Sequence, residues 1–442
     1  MLRTGAWLVG GNLGSQVLRL GGNLVLTRLL LPQDFGLMAA VNTLYFALVM
    51  FSDPGVWQSV VKSPHGGDAR FLGTAWSVQI ARGALLALGV LGLALGLQLG
   101  QAAGVFAPDT VYADSRLPLM VALFAPCALL QGAESMRLAL AQRQLRGAAM
   151  VRLELVSQLA ALGVTLAVVW WTRSVWGLLA GSLAGSAMRT LLSHRVVPGD
   201  SVRPCWDRAH AAELLGFGKW IFVSSVVGFL AAHGEKLILG ATLGAADFGV
   251  FSIAANLLAA AIGVYGTLNG RVIFPSLSQA LRAGDEAEQV RVYARVQQIA
   301  DIFLGLLSGL LLLCGQWVVW WLYDPRYHDA GWMLQWLSLG LLAMRHQVLE
   351  QLMFARNLPV WVSANNILRA LLLATAIPAG HALAGERGAI AGVVLSQFAS
   401  WPLSLYFKHR EGLLRGTERW LPALVLGMTC GGALHLLAAW LG

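Results

Sequence analysis

Apolar runs long enough to cross a bilayer recur from one end of this chain to the other, each near the ~20 residues that a ~30 Å hydrocarbon core requires. In lipid every backbone N–H and C=O must be satisfied within the protein, so only helices or closed barrels can span. The runs are continuous rather than alternating, which selects helices. Composition agrees: charged residues are 12% of the chain, against about 25% in soluble proteins, and mean hydropathy is +0.65. The chain reads as an all-α polytopic membrane protein and not as about three soluble domains.

Thirteen spans are predicted, at 5–30, 37–61, 73–98, 117–142, 148–171, 174–193, 216–241, 248–274, 296–322, 331–355, 359–382, 388–407 and 420–441. Loop charge orients them. With the N-terminus in the cytoplasm, the inner segments hold seventeen Lys and Arg and the outer loops four, namely Arg116, Arg173, Arg326 and Arg387. This asymmetry accounts for most of the +9 net charge without a nucleic-acid partner. Trp170, Trp171 and Trp176 cluster at one outer edge and Trp317, Trp320 and Trp321 at another, as interfacial anchors do. Arg19 interrupts the first apolar stretch and no small-residue cleavage site follows, so this segment is read as a retained helix. Cys127, Cys205, Cys314 and Cys430 are scattered, and are read as packing residues, not as a disulfide frame or metal site.

The stretch Leu29-Leu30-Leu31-Pro32-Gln33-Asp34-Phe35-Gly36-Leu37 returns as Thr242-Leu243-Gly244-Ala245-Ala246-Asp247-Phe248-Gly249-Val250, at an offset of 213. Each copy closes the first hairpin of a six-span half, and six is even, so both halves enter the membrane from the same side. The prediction is two parallel six-helix bundles around a central cavity. They cover 1–195 and 216–410, joined by an amphipathic cytoplasmic linker at 196–215, with an additional C-terminal transmembrane helix at 411–442. The linker's basic residues suit anionic lipid, though an ordinary solvated connector fits equally well. Gly177, Gly181 and Gly185 form a small face on the sixth span, read as a packing surface.

No built-in ATP-driven motor is expected, because Lys219 is followed by Trp220 and no GxxxxGK[ST] occurs. Neither HExxH nor GxSxG is present, and the two Asp-Phe-Gly triplets lack the other parts of a kinase. His346 and Glu350 have a metal-ligand spacing but no third ligand, so no metal and no cofactor are expected and the chain is read as no enzyme. What remains is charge inside spans, at about 2.5–3.5 kcal/mol each near the bilayer centre, which demands a wet cavity or a partner. The cations so placed are Arg19, Arg28, Arg82, Lys236, Arg271, Arg345 and Arg369, read as cavity cations that bind substrate. Asp53, beside Pro54 and Gly55, with Glu134 and Glu350, are candidates for ion coupling. Arg137, Arg271 and Glu350 also lie close enough to the inner surface to snorkel, while Glu134 with Arg137 and Glu235 with Lys236 suit structural ion pairs. Arg19, Arg82, Arg345 and Arg369 sit farthest from either end of their spans. An arginine fork matches phosphate, so such a cavity suits an anionic or pyrophosphate-bearing cargo.

The run Gly22-Asn23-Leu24-Val25-Leu26-Thr27-Arg28-Leu29-Leu30-Leu31-Pro32-Gln33-Asp34-Phe35-Gly36-Leu37, followed by Phe51-Ser52-Asp53-Pro54-Gly55, resembles the polysaccharide-transporter branch of the multidrug/oligosaccharidyl-lipid/polysaccharide exporter superfamily, the Wzx-like oligosaccharide flippases. The resemblance extends over roughly the first 410 residues. It implies a V-shaped, MATE-like alternating-access exporter in the bacterial inner membrane, driven by an ion gradient. Its cargo would be undecaprenyl-pyrophosphate-linked oligosaccharide, moved from the cytoplasmic to the outer leaflet for O-antigen, capsule or exopolysaccharide. Implied partners are a polymerase and a chain-length regulator, besides membrane lipids. Related lipid-linked peptidoglycan flippases use arginines on spans one and eight with an acid nearby. By position these correspond to Arg19 or Arg28, and Arg271, with Asp53 the acid. The thirteenth span departs from the family's usual twelve or fourteen. A drug or metabolite exporter of the same superfamily, which should depend on acids, and a membrane glycosyltransferase or polymerase, which needs a larger outer domain, are the alternatives.

Overall fold

The structure, a computed structural model, describes residues 2–144, 146–195, 202–356, 358–413 and 419–441; at 2–9, 12–13, 215–224, 271, 359 and 435–441 it describes the backbone alone. Among the described residues every regular element is helical, and the chain divides into two compact units. The first comprises 1–229 with 244–246, and the second 230–243 with 247–442.

The first unit opens with α1 (Leu2–Leu29), α2 (Pro32–Phe51), α3 (Val56–Lys62) and α4 (Ala69–Ala102). It continues through α5 (Leu117–Ala122), α6 (Ala125–Ala133), α7 (Arg137–Arg143), α8 (Gly147–Thr172) and α9 (Trp176–Arg195) into the first part of α10 (Arg208–Thr242). The second unit takes the rest of α10, then α11 (Ala245–Leu268), α12 (Phe274–Ala283) and α13 (Glu286–Leu322). It ends with α14 (Ala330–Ser338), α15 (Gly340–Ala343), α16 (Gln347–Ala355), α17 (Pro359–Gln397), α18 (Ser400–Arg410) and α19 (Trp420–Leu441). Each of the thirteen predicted segments falls on helix. Among the described residues six helical runs are long and apolar enough to cross a membrane, and the bent α5–α7 run makes a seventh. A shorter apolar stretch, Trp420–Leu434, lies in α19.

Several spans are broken, each for a local reason. Ser52-Asp53-Pro54-Gly55 separates α2 from α3, where Gly55 adopts the left-handed φ of 70° and no residue with a Cβ would sit easily. The α5–α7 span bends by 58° at Glu134–Ser135. α17 reverses at Ala384 and Gly385, so it holds the eleventh and part of the twelfth predicted segments. Between α11 and α12 the chain makes a π-helical turn at Asn269–Ile273.

The two repeat copies fold alike and differ in charge. Phe35 and Phe248 are both buried at the start of α2 and α11. Asp34 accepts a hydrogen bond from the Leu31 N–H and lies 3.6 Å from Arg116, whose fork also grips Asp114 at 2.8 and 3.1 Å. At the same offset of 213 the residue matching Arg116 is Asp329, so this ion pair is not repeated and Asp247 is exposed. Burial lifts the Asp114 carboxyl, but the hydrogen bonds from Arg116 outweigh it and hold it below its ordinary value. A depressed carboxylate stabilises above its ordinary range and loses that contribution as pH falls. Arg116→Ala should therefore cost at most about 1 kcal/mol at neutral pH after solvent screening. The difference between wild type and variant should begin to shrink only below about pH 4 and disappear as pH falls through the depressed Asp114 value, as read by thermal unfolding across pH.

The loop ahead of α10 is docked on the first unit. Cys205 N–H donates to the Gly73 carbonyl (3.3 Å), Ser77 Oγ donates to the Cys205 carbonyl (2.8 Å), and Asp207 N–H donates to Thr74 Oγ1 (3.2 Å). Val202 and Leu214 pack with Phe71, Ala75 and Met136. The rest of the predicted linker, 196–201, lies outside the described residues. All four cysteines are free, with Cys127 and Cys314 buried and Cys205 and Cys430 exposed.

Candidate functional site

In the first unit, a polar seam follows the line where α1 meets α8. The two helices run parallel: Gly11 abuts Val151, Gly14 abuts Leu155 and Gly22 abuts Leu162, where an added Cβ would stand 2.7 Å from Leu162 Cδ1. Between these glycines Gln158 Nε2 donates to Ser15 Oγ (2.6 Å) and to Glu154 Oε1 (3.0 Å). Glu154 in turn meets Arg189 of α9 at 2.7 Å, and Arg189 Nε donates to Glu134 at 2.9 Å. α9 also stitches the bend at Glu134. Ser193 Oγ accepts from the Ser135 N–H (2.9 Å), and His194 Nε2 lies 2.9 Å from the Ala133 carbonyl. Arg137 Nη1 donates back to the His194 carbonyl (3.1 Å).

Arg19 is one helical turn past Ser15, at the edge of that seam. It is exposed, and among the described residues it makes no hydrogen bond or ion pair. Arg28 is also exposed, at the far end of α1. Arg82 is used differently. Its Nε donates to the Ser52 carbonyl (3.0 Å) and its Nη2 to the Val49 carbonyl (2.7 Å), with Asp53 3.9 Å away. It therefore caps the orphan carbonyls where α2 breaks, and Asp53 itself accepts from the Gly55 N–H (3.0 Å).

The second unit contains two charged clusters. In one, Arg345 and Asp301 form a buried fork with both hydrogen bonds at 2.9 Å. In the other, Glu350 of α16 accepts from Asn365 Nδ2 (2.8 Å) and lies 3.4 Å from His346 Nε2. Arg369 of α17 lies in the field of Glu350 and Glu235, and Lys236 and His233 of α10 complete the group. Three atoms here are sealed from the surface and make no hydrogen bond with the described residues, Glu235 Oε2, Asn365 Oδ1 and Arg369 Nε. Arg271 belongs to the π-helical turn, and its side chain lies outside the described residues. Among the described residues no set of three His, Cys, Asp or Glu side chains converges to hold a metal ion.

Thus Arg19 and Arg28 are presented at the surface of the first unit. Lys236, Arg369 and Glu350 gather in one cluster of the second. Arg82, Arg345, Asp53 and Glu134 are engaged by partners. Glu154, Arg189 and Asp301 were not singled out in the sequence. Their signal was periodicity: Glu154 and Gln158, and likewise Tyr293, Gln297 and Asp301, recur at intervals of four within otherwise apolar helices.

Residues 25–331 match the family model described as "Polysaccharide biosynthesis protein". The chain is similar to the succinoglycan biosynthesis transport protein ExoT of Rhizobium meliloti (strain 1021), 24% identical over 353 residues. That match covers 78% of this chain and 66% of ExoT, just under two thirds of its length. Among solved structures, the lipid II flippase MurJ in an inward closed conformation superposes with a TM-score of 0.73 at 11% identity, covering 97% of this chain and 92% of MurJ. An inward-facing multidrug-resistance MATE transporter of the MOP superfamily gives 0.72 at 12% identity, over 90% of this chain and 95% of that one. These likenesses identify the all-helical fold as the one shared by MATE transporters and MurJ.

Proposed function

The chain belongs to the polysaccharide biosynthesis protein family, and on that footing we propose that it is a multi-pass membrane transport protein, not an enzyme, acting as a flippase for undecaprenyl-pyrophosphate-linked oligosaccharide. The cargo turns from the cytoplasmic to the outer leaflet of the bacterial inner membrane, with the N-terminus of the protein in the cytoplasm. A polymerase and a chain-length regulator take up the repeat units for surface polysaccharide. Transport runs by alternating access, with coupling to an ion gradient through Asp53, Glu134 or Glu350. In this reading Arg19, with Arg28, Arg271, Lys236 and Arg369, receives the pyrophosphate, and Arg82 and Arg345 hold the helices that present it.

The observation that carries this reading is Arg19. An arginine in the middle of a membrane helix, exposed and without a partner among the described residues, is costly unless a ligand repays it. Its bidentate fork suits a phosphate better than an organic cation. In a deletion strain, polymer should disappear and complete lipid-linked repeat units should accumulate facing the cytoplasm. Arg19→Ala should restore neither export nor polymer while the protein accumulates normally in the membrane. Wild-type export by Arg19→Ala removes this residue from the site, and repeat units that still reach the outer leaflet of the deletion strain overturn the assignment.

A further inference from the structure

Arg189 sits between two carboxylates that are not equivalent. Its Nε edge is anchored on Glu134, whose side chain is 9% exposed, while its Nη1 meets Glu154, 46% exposed. Arg189 itself is 37% exposed, so its outer edge faces open space beside Glu154. A guanidinium carries five N–H donors, and these contacts use two of them. An exposed ion pair is weakly held, whereas the buried one fixes where the fork points. Carboxylate and phosphate accept the same planar fork.

We infer that Arg189 is a phosphate-binding residue of the first unit and that Glu154 is its built-in placeholder, displaced when the anionic head group of a prenyl pyrophosphate arrives. This deepens the flippase reading and rests on it for the class of ligand. Glu134 keeps the guanidinium in place throughout. Glu154, once displaced, retains Gln158 as a donor (3.0 Å), and Gln158 reaches Ser15 of α1 (2.6 Å), one turn from Arg19. Loading of Arg189 is thereby transmitted to the helix that carries Arg19, through two hydrogen bonds and no backbone break.

The test is direct binding of farnesyl pyrophosphate to the purified full-length protein in nanodiscs. Glu154→Gln should bind it about tenfold more tightly than wild type, because the resident anion is gone. Glu154→Asp keeps the charge but is one methylene too short to reach Arg189, and should also tighten binding. Arg189→Gln should weaken it at least about tenfold, and Arg189→Lys should recover only part of that loss because it lacks the fork. Unchanged or weaker binding in Glu154→Asp overturns the placeholder, since a merely long-range charge effect leaves that variant like wild type. If Arg189→Gln does not fold, the two Glu154 variants decide alone, because both leave the Arg189–Glu134 anchor in place. Probe binding and leaflet accessibility fail separately. Export that persists in the deletion strain, with Glu154→Asp still tightening binding, sinks the flippase and leaves the phosphate site standing.

Discussion

Asp301→Ala should cost the second unit about 3–5 kcal/mol, the usual result of removing one partner from a buried ion pair. Asp301 is fully buried and Arg345 is 7% exposed. Asp301 accepts two parallel bonds from Arg345 and a third from Gln297 Nε2 at 2.8 Å. The other end of Gln297 accepts from Tyr293 OH (3.1 Å) and from Lys408 Nζ (3.3 Å), and Lys408 is itself 4% exposed. Alanine at 301 thus leaves two buried cations sharing a network from which the only carboxylate among these side chains has gone. The expected signs are a large fall in thermal unfolding temperature and poor accumulation in the membrane. Asp301→Leu combined with Arg345→Met removes both charges and fills the volume, and such swaps are often neutral. The double variant should therefore recover most of the loss. Wild-type stability in Asp301→Ala would mean that water reaches the fork and that this part of the second unit is open.

The spans were legible because the bilayer writes its thickness into the sequence as apolar length, and each copy of the Asp-Phe-Gly repeat falls at the start of a helix, α2 or α11. The glycine face on α9 was legible because spacing of four puts small residues on one stripe whatever lies opposite. What a charged residue does inside a span was not legible, because the answer belongs to a partner far away in sequence. Arg82 and Arg345 looked equally unaccounted for. One turns out to cap the carbonyls of Val49 and Ser52 across a helix break, and the other to grip Asp301. Arg19 resembled both of them in the sequence and differs in having no such partner among the described residues. Arg189 drew no notice in the sequence, and only the fold brings Glu134 and Glu154 to it from 55 and 35 residues away. Positive charge in a membrane helix is thus a question that sequence poses and packing answers.

Gly181→Leu should be the most damaging single change in the first unit, because it acts on packing and on the candidate site together. α8 and α9 are joined by Arg173, which takes the left-handed φ of 48° and lets α9 turn straight back along α8. Gly177, Gly181 and Gly185 then meet Val169, Thr165 and Ala161 in descending order, as two antiparallel helices in close contact must. A Cβ at Gly181 would overlap Thr165 Oγ1 and stand 2.8 Å from the Ala161 carbonyl, and one at Gly185 would stand 2.9 Å from Ala161 Cβ. The Ala161 carbonyl is backbone, so α9 itself has to move. Gly181→Ala should cost about 1–3 kcal/mol, as overpacking does, and leucine more. Arg189 lies two turns further along the same helix, so the displacement that accommodates leucine also draws its fork away from Glu134 and Glu154. Gly181→Ala should consequently lower export more than its loss of stability alone accounts for. Thr165→Gly removes the overlapped hydroxyl and should restore part of both, while leaving the clash with the Ala161 carbonyl. If Gly181→Ala is as stable as wild type, α9 is not in contact with α8 at this glycine, and the position of Arg189 would have to be set by Thr190, Ser193 and His194 at the bend instead.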